Sequence, residues 1–592
     1  MNINKNLAAA LVLFAIILIS YINIFQNEFV WDDHVFVLDN PDIRSFSNIK
    51  LFFTQDVDGL YRPLRSLHYA FVYSIAGKNE FLYHFNSIFL HAIISALVFL
   101  IIYEIVNKKI ALVSALIFAV HPIHTDRVTN ITAGFDLLGI FFMLLSFYLY
   151  IRYSKLGNKK YFLFSLLFFL IAAFSSEEAV VLPLLVVLYE FCFNREKFGK
   201  KLIRNNIIKN YSPYFIIGLF YAAIRFFVIG IRGRVEEYLA GNFFLTMLTM
   251  PKVYVYYIYL LIFPVNLTLF REVEAVTSFF DFKVLISALI LVAIIFFTLK
   301  YNKNKILFFS VFWFFIALIP FSNLLPMPIF MAERYLYVPS IAFSLLVSYF
   351  LFTIFNYDYK NMNKNIVRYG VVIFIVMLLC FYVFSTVNRN MDWRDDLTLW
   401  SKTVASNPNN SRAHDNLGFT YERLGDDAKA LQEFNIAVKL QPDNFRALGN
   451  LGVAFAKFGA YNESIAALKK SIEVMPYHKT YDKLGLVYAE LNMEEKAIES
   501  FKEAIKINPR YAKAHNDLAT VYGRIGEFDL ALQEFNEAIR IDRDYADAYY
   551  NLAVIYEFLK DTKKAENLLV KALEIEPNNN KVRNKLTNLK SK

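Results

Sequence analysis

The sequence contains very little cysteine. Of its 592 residues only Cys192 and Cys380 are cysteines, and they are far apart in the chain. A disulfide framework and a Cys-x-x-Cys metal site are therefore excluded. Charged residues are also scarce, at 19% of the chain. Soluble domains carry about 25%, so the composition as a whole is not that of a soluble globular protein.

The positive charge does not indicate a nucleic-acid partner. The formal net charge is +10, but the Lys and Arg residues of the first 390 positions cluster in short loops between apolar runs, such as 195–209 and 300–305. Basic residues placed in this way are topology signals of membrane proteins. We therefore predict a membrane protein with no nucleic-acid partner.

Long apolar runs are abundant in the first two thirds of the chain. The hydrophobic fraction is 57%, with 61 Phe and 38 Tyr residues. A membrane-crossing helix needs roughly 20 apolar residues, and shorter ones are tolerated inside a bundle. The pattern predicts eleven spans, at 7–25, 82–106, 110–121, 135–151, 161–174, 179–194, 211–230, 284–299, 306–321, 339–356 and 369–387.

One apolar stretch, 243–263, is not counted as a span. Pro251 and Lys252 interrupt it and Pro264 ends it, so we expect it to re-enter the membrane or lie at its surface. With this choice the basic loops fall on the side of residue 1, which the positive-inside rule places in the cytoplasm. The segment 7–25 is then an uncleaved signal anchor, and the chain after 387 is extracytoplasmic. The membrane would be the plasma membrane of a prokaryote or the endoplasmic reticulum of a eukaryote.

The acidic loops all fall on that extracytoplasmic side. Asp32 and Asp33 directly follow the first span. Ionisable residues at a membrane boundary are candidates for function, although an acidic pair at a helix end is also commonly just solvated. The other loops on this side contribute His121, His124, Asp126, Glu177, Glu178, Glu333 and Arg334.

Other polar residues of this half admit two interpretations. Arg62 and Arg65 can bind a phosphate, because guanidinium matches phosphate oxygens, or can anchor a surface helix at the lipid headgroups. His91 lies inside a predicted span and more commonly satisfies a neighbouring backbone group. His121 and His124 are not spaced like the i, i+4 pair of a zinc helix. We therefore expect no metal ligand set, and a divalent metal stays an alternative.

The last third of the chain is a repeat array. Small residues recur in each unit where paired helices pack, and aromatics fill the gaps between units, which is the tetratricopeptide pattern. We predict a linker at 391–410, five repeats at 411–577 that form an α-solenoid, and a capping helix at 578–592. The groove of such a solenoid binds an extended peptide or a partner protein. The period is visible in Pro408, Pro442, Pro476, Pro509 and Pro577, at intervals of 34, 34, 33 and 68 residues.

The two parts together resemble the transmembrane and tetratricopeptide-repeat family of O-mannosyltransferases, which belong to the multi-span GT-C superfamily. The fold implied is all-α: a polytopic membrane helix bundle of about eleven spans at 1–390, followed by the tetratricopeptide solenoid. The motifs that carry the resemblance are Trp31-Asp32-Asp33, Asn40-Pro41-Asp42-Ile43, Tyr61-Arg62-Pro63-Leu64, Tyr83-His84-Phe85-Asn86 with His91, His121-Pro122-Ile123-His124 and Ala332-Glu333-Arg334-Tyr335.

The resemblance implies transfer of a sugar, mannose or a similar one, from a polyprenyl-phosphate donor to Ser or Thr of a protein, with inversion. An acidic residue of the first outer loop serves as base in such families, which points to Asp33 or Asp32; we favour Asp33. One departure from the family pattern, which has a Gly-Arg pair here, is that Gly134 is followed by Phe135. It weakens transfer of the family's detailed donor contacts.

The chemistry of the residues suggests roles consistent with this resemblance. A carboxylate can take the proton of an attacking hydroxyl, and a leaving phosphate needs a cation. Arg334 is the first candidate for that cation, and Arg62 and Arg65 come second. We expect a supporting role for Glu333, His121, His124, Asp126, Glu177, Glu178 and His91.

Two other classes of function fit parts of the sequence. A non-catalytic, membrane-anchored scaffold would use the repeats to assemble envelope or secretory complexes, but one span would suffice for anchoring. A transporter would place ionisable residues near the bilayer midplane, whereas here they cluster at one face.

Overall fold

The computed structural model describes residues 3–57, 59–194, 207–229, 238–276, 278, 280–357 and 364–591. Most of the basic loop at 195–209 lies outside these residues. The chain divides into two compact units, Met1–Thr403 and Val404–Lys592. Within the described ranges the secondary structure is helical, and the only β-pairing is one isolated bridge between Val57 and Leu60.

The first unit is built from fourteen helices longer than six residues within the described ranges. In chain order they are α1 Ile3–Tyr21, α2 Pro63–Ala76, α3 Glu80–Ile105, α4 Lys108–Val120, α5 Leu137–Leu156, α6 Lys159–Ala173, α7 Leu182–Phe193, α8 Ser212–Ile229, α9 Phe243–Ile262, α10 Phe282–Lys300, α11 Lys305–Ala317, α12 Pro339–Asn356, α13 Lys364–Asn390 and α14 Asp396–Ser406. Short helical turns between them carry most of the polar residues discussed below.

Several of these helices can cross a membrane, as predicted for a multi-pass protein. Eight helical segments of the described chain are long and apolar enough: Leu7–Gln26, Glu80–Ile105, Ile131–Leu156, Lys209–Val228, Phe243–Ile262, Phe282–Lys300, Pro339–Asn356 and Lys364–Trp393. The four remaining predicted spans correspond to α4, α6, α7 and α11, which have 12 to 15 residues. The number of crossings therefore stays a prediction.

The predicted break at Pro251 is wrong. Helix α9 runs continuously from Phe243 to Ile262 and contains Pro251 in its interior. A proline removes one backbone hydrogen bond and can be accommodated within a membrane helix. At 20 residues α9 is long enough to cross, so its length does not separate it from the other spans.

The short helix α4 lies in the centre of the first unit. It packs against α1, α3, α12 and α13. Ala111, Ala115 and Ala119 recur every fourth residue and are fully buried. Small side chains on one face let neighbouring helix backbones approach closely. This explains how a 13-residue helix is enclosed by longer ones.

Close backbone packing also places the acidic loop before α7. Gly139, in the first turn of α5, lies against Ser175 and Ser176, and a Cβ atom at Gly139 would come within 2.5 Å of the Cβ of Ser176. The absence of a side chain at Gly139 therefore lets the loop that carries Glu177 and Glu178 approach the start of α5.

The second unit consists of helix pairs at the predicted period. The pairs are Ser411–Arg423 with Asp427–Leu440, Phe445–Lys457 with Tyr461–Val474, His478–Glu490 with Glu494–Ile507, Ala512–Ile525 with Phe528–Ile541, and Ala546–Phe558 with Thr562–Ile575, followed by Asn580–Lys590. Gly418 faces Phe434, and Gly485 faces Phe501 at the same point of a later pair. The glycine–aromatic spacing thus sets the packing of the two helices in a repeat.

The second repeat departs from the pattern at two alanine positions. Ser464 and Ser471 are both fully buried there. The hydroxyl of Ser471 donates to the carbonyl of Phe445 (2.6 Å), which satisfies it. This repeat tolerates the substitutions because a serine is little larger than an alanine.

Replacing Gly139 with alanine tests the close approach at α5. We expect Gly139→Ala to lower the free energy of unfolding by about 1–3 kcal/mol, because overpacking forces backbone shifts. Thermal unfolding in detergent measures the change. Gly218→Ala in α8 is the control, since its new Cβ meets no atom within 4 Å. Equal effects of the two substitutions would contradict the packing described here.

Candidate active site

The loop at 30–34 holds the two adjacent carboxylates. Asp33 is fully buried. One of its oxygens, Oδ1, accepts hydrogen bonds from the amide (2.8 Å) and the hydroxyl (2.6 Å) of Thr132. The other, Oδ2, accepts one from the amide of Val30 (3.1 Å). Asp33 therefore ties the loop to the turn Ile131–Gly134.

The environment of Asp33 changes its acidity. Burial raises the pKa of Asp33 to about 7, against the lowering effect of the hydrogen bonds from Thr132 and Val30. A pKa near 7 suits a general base. However, all three hydrogen bonds anchor the loop, and the carboxylate has no exposed surface. The geometry therefore favours a structural role for Asp33 over the catalytic role expected from the sequence.

Asp32, the residue before Asp33, has a different environment. Its side chain is half-buried, and its charge is close enough to Arg334 to influence it. Burial opposes the positive charge of Arg334, but Asp126, Tyr335 and Asp32 together raise the pKa of Arg334 above its ordinary value. The structure thus places a partly exposed carboxylate near a cation.

Arg334 is held in place on two sides. Its Nη1 is 3.3 Å from Oδ1 of Asp126, which is fully buried. Its guanidinium lies over the ring of Trp31, 5.4 Å from the centroid. The side chain of Arg334 is 15% exposed. It is therefore a fixed cation that a ligand can still reach.

A network of ion pairs centred on Asp136 adjoins Arg334. Its carboxylate accepts hydrogen bonds from Arg62 (2.7 Å), Arg65 (2.9 Å) and Arg127 (3.1 Å). Each arginine comes from a different position in the first 130 residues. Ionic groups are stable in such an interior only when they are paired, and three arginines here share one carboxylate.

The same arginines extend the network towards α7 and towards Arg334. Arg62 also binds Glu177, and Arg127 also binds Glu178. Arg127 further donates to the backbone carbonyl of Arg334 (3.2 Å). Burial raises the pKa of Glu178, with the nearby Arg127 acting against it. The predicted convergence of separate loops is therefore present as direct contacts.

Arg62 and Arg65 are both paired with carboxylates in this arrangement. Arg65 is 4% exposed and lies against the rings of Phe36 and Tyr69 as well as Asp136. Their predicted phosphate-binding role stays a prediction. Their contacts place both in the network of ion pairs around Asp136.

Glu333 joins a separate set of contacts. It is 3% exposed, accepts a hydrogen bond from the amide of Thr268, and lies 3.4 Å from Arg389. Burial raises the pKa of Glu333 to about 7, and Arg389 acts against that rise. Arg389 also pairs with Asp392 at 2.7 Å. Glu333 thus connects the end of α13 to the segment that follows α9.

His91, His121 and His124 lie close together, and each contacts a polar group outside this trio. His91 contacts the hydroxyl of Tyr337 (2.6 Å) and the carbonyl of Ala119 (2.9 Å). His121 contacts the carbonyl of Leu261, and His124 the hydroxyl of Ser340. Burial holds the pKa of His124 well below its ordinary value. Among the described residues no group of three or more His, Cys, Asp or Glu is arranged to hold a metal ion.

Sequence reasoning missed three residues of the site. Asp136 lies inside the predicted span 135–151, where an acidic residue is itself a signal of function. Arg127 directly follows Asp126, between two predicted spans. Arg389 stands two positions beyond the last predicted span. Each is an ionisable residue at a predicted membrane boundary, and that criterion could have found them.

Removing the charge of Asp136 tests the network. Asp136→Asn removes the carboxylate shared by Arg62 and the buried Arg65 and Arg127, and we expect a loss of about 3–5 kcal/mol of stability. Glu104→Gln is the matched control, because Glu104 also pairs with two cations, Arg152 and Lys155, whose side chains are 26% and 42% exposed. Exposed pairs contribute about 0–1 kcal/mol. Equal unfolding temperatures of the two variants in detergent would argue against a central role for Asp136.

Comparison with known families gives matches in both units. Residues 63–224 match the model of the dolichyl-phosphate-mannose-protein mannosyltransferases. Tetratricopeptide-repeat models match residues 411–444, 445–478, 485–526 and 511–577. The first match begins directly after Arg62. It contains Arg65, Asp126, Arg127, Asp136, Glu177 and Glu178.

Three curated relatives are similar to most of this chain. The protein O-mannosyl-transferase F38B6.6 of Caenorhabditis elegans is 24% identical over 73% of this chain and 62% of its own length. The protein O-mannosyl-transferase TMTC3 of Mus musculus is 25% identical over 82% and 58%, and that of Homo sapiens is 24% identical over 86% and 62%. The matched part is therefore about three fifths of the length of these relatives.

Solved structures similar to this chain are repeat proteins. A thermophilic TPR protein of Thermus thermophilus is 27% identical and covers 30% of this chain and 98% of its own, with a TM-score of 0.29. MamA is 28% identical and covers 27% and 95%, with a TM-score of 0.24. A mannosyltransferase-type membrane domain and tetratricopeptide repeats thus occur in one chain, which confirms its resemblance to the transmembrane and tetratricopeptide-repeat O-mannosyltransferases.

Proposed function

We propose that the protein is a membrane mannosyltransferase that moves mannose from a polyprenyl-phosphate donor to Ser or Thr of a protein. The observation that carries the proposal is that half-buried Asp32 lies near enough to Arg334, which is fixed by Asp126, for its charge to raise the pKa of that guanidinium. The matched mannosyltransferase model and the relatives named O-mannosyl-transferases support the reaction class. The reaction site is then the loop at 30–34.

Asp32 acts as the general base in this proposal. The acceptor hydroxyl oxygen bonds to C1 of mannose while the bond between C1 and the phosphate oxygen breaks. Asp32 takes the hydroxyl proton, and the phosphate leaves with the electron pair of the broken bond. Because the attack comes from the side opposite the leaving group, the configuration at C1 inverts.

Arg334 stabilises the leaving phosphate. A preorganised cation in a site with little water lowers the energy of a developing negative charge. Arg334 is already oriented by Asp126 and Trp31, so it need not reorganise during the reaction. Phosphate oxygens would add to these contacts at its exposed edge.

An apolar cavity fits the polyprenyl chain of the donor. It has a volume of about 470 Å³, and its lining is almost entirely apolar. Arg62 follows one lining residue in sequence and Arg225 follows another, and both arginines flank Glu177. Two arginines paired with Glu177 therefore adjoin the lining of the cavity. The lining residues are Phe53, Tyr61, Leu64, Leu170, Ile171, Phe174, Phe220 and Ile224.

The repeats would hold the acceptor or a partner protein. Polar side chains connect the first helices of successive repeats: Asn450 donates to Asp415 (2.8 Å), and Asn551 donates to Asn516 (3.0 Å). Amide groups of this kind can bind the backbone of an extended peptide. Such binding would raise the local concentration of the acceptor.

The location proposed is a multi-pass membrane, with the loop at 30–34 and the repeats on the extracytoplasmic side. The endoplasmic reticulum fits a eukaryotic host and the plasma membrane a prokaryotic one. The scaffold alternative, a membrane-anchored repeat protein without catalysis, gives no reason for a reachable carboxylate beside a fixed cation.

Two substitutions separate the adjacent carboxylates. We expect Asp32→Asn to keep the wild-type unfolding temperature and to lower mannose transfer by roughly 10²-fold or more, the contribution of a general base. Asp33→Asn should instead lower stability, because its amide would face the amide of Val30. Transfer of radiolabelled mannose from polyprenyl-phosphate mannose to a Ser/Thr peptide library measures the activity. Full transfer by Asp32→Asn would refute its assignment as base.

A bulky residue in the apolar cavity tests whether the cavity holds the polyprenyl chain of the donor. Leu170→Trp fills the cavity, and we expect the KM for a long-chain donor to rise roughly tenfold, equivalent to about 1.4 kcal/mol. Leu167→Trp is the control, since Leu167 lies on the same helix with 47% exposure and does not line the cavity. A donor with a truncated chain should be less affected by Leu170→Trp. An unchanged KM for the long-chain donor would place the chain elsewhere.

A further inference from the structure

The segment after the last long helix belongs to the first unit as far as Thr403. The sequence predicts a linker at 391–410, but residues 391–406 form the turn Met391–Trp393 and helix α14. Trp393 is fully buried and Trp400 is 2% exposed. The backbone amide of Glu28 donates to the carbonyl of Arg394 (2.9 Å). This segment therefore packs beside the loop at 30–34.

One side chain of this segment holds the loop at both ends. Asp396 accepts a hydrogen bond from the amide of Trp31 at its Oδ1 (2.9 Å) and contacts Nε2 of His34 at its Oδ2 (2.7 Å). The two contacts bracket Asp32 and Asp33. A single carboxylate thus fixes the positions immediately before and after the acidic pair.

The backbone between these contacts is strained. Trp31 has a φ of +54°, a left-handed conformation that bulky residues rarely adopt. Such a conformation persists only where the surroundings hold it. The ring of Trp31 packs edge-on against Phe270 and Trp400, and its amide is bound by Asp396. The direction of the Asp32 side chain follows from this backbone turn.

Asp396 is not required to cap its own helix. The preceding residue, Asp395, accepts a hydrogen bond from the amide of Thr398 (2.7 Å), which is the usual role of an N-cap. The carboxylate of Asp396 points to the loop instead. Asp395 therefore caps the helix, whereas Asp396 holds the loop.

We infer that Asp396 is a positioning residue of the active site, which sets the orientation of Asp32 through Trp31 and His34. The inference rests on the proposed function for its effect on catalysis, but not for its effect on the loop. Its consequence is that the segment leading out of the membrane domain completes the site.

The test compares four single variants and one double variant of the full chain in nanodiscs. Asp396→Ala removes both contacts, whereas Asp396→Asn keeps an acceptor for the Trp31 amide and loses the acceptor for His34. His34→Ala loses the same contact as Asp396→Asn, so combining these two should add little. Asp395→Asn is the matched control for Asp396→Asn, since asparagine still caps α14 and the loop contacts stay intact.

Two readouts are measured on each variant. We expect Asp396→Ala to increase amide hydrogen exchange in the peptide covering 30–38 at least tenfold, with exchange in α5 unchanged. We also expect its kcat for mannose transfer from polyprenyl-phosphate mannose to fall at least tenfold, with KM within twofold of wild type. Asp396→Asn should show smaller changes of both kinds, and Asp395→Asn neither.

The outcomes distinguish the inference from the proposed function. Wild-type exchange at 30–38 in Asp396→Ala would overturn the inference, as would equal effects of Asp395→Asn and Asp396→Ala. Loosened exchange with a wild-type kcat would also overturn it, because the loop would then not position the base. If the wild-type chain transfers no mannose, the proposed function fails, and the exchange measurement still decides whether Asp396 holds the loop.

Discussion

Three arginines from separate points of the chain meet on one buried carboxylate, Asp136, and the candidate site depends on that meeting. Asp136 is the carboxylate paired with buried Arg65, and an unpaired charge in the interior is costly. Arg62 and Arg127 pair with Glu177 and Glu178 as well. Through Arg127 the network reaches Glu178 and the backbone of Arg334. The cation proposed to stabilise the phosphate is therefore placed by ion pairs that lie beneath it.

This arrangement divides the acidic residues by role. Asp33, Asp136 and Glu333 are buried and occupied by hydrogen bonds or ion pairs, and they hold segments together. Asp32 is half-buried beside Arg334. Buried carboxylates with raised pKa are commonly taken as catalytic candidates, but here the geometry assigns most of them to structure.

The repeats could be predicted closely because their signal is local. Each helix pair repeats the same small and aromatic residues at one period, and Gly418 with Phe434 shows the contact behind that spacing. The membrane half was predictable only in outline. Its loops were expected to converge, but pairing between Arg62 and Asp136, 74 residues apart, leaves no trace in local spacing. The choice between Asp32 and Asp33 depends on the backbone of Trp31, which a sequence does not display.

The most direct measurement is mass spectrometry of a Ser/Thr peptide library after incubation with the purified full chain and polyprenyl-phosphate mannose. A mannosyltransferase would leave one hexose on Ser or Thr of the products. Donor consumption would match product formation. Folded protein that leaves both the donor and the peptides unchanged would contradict the proposed function.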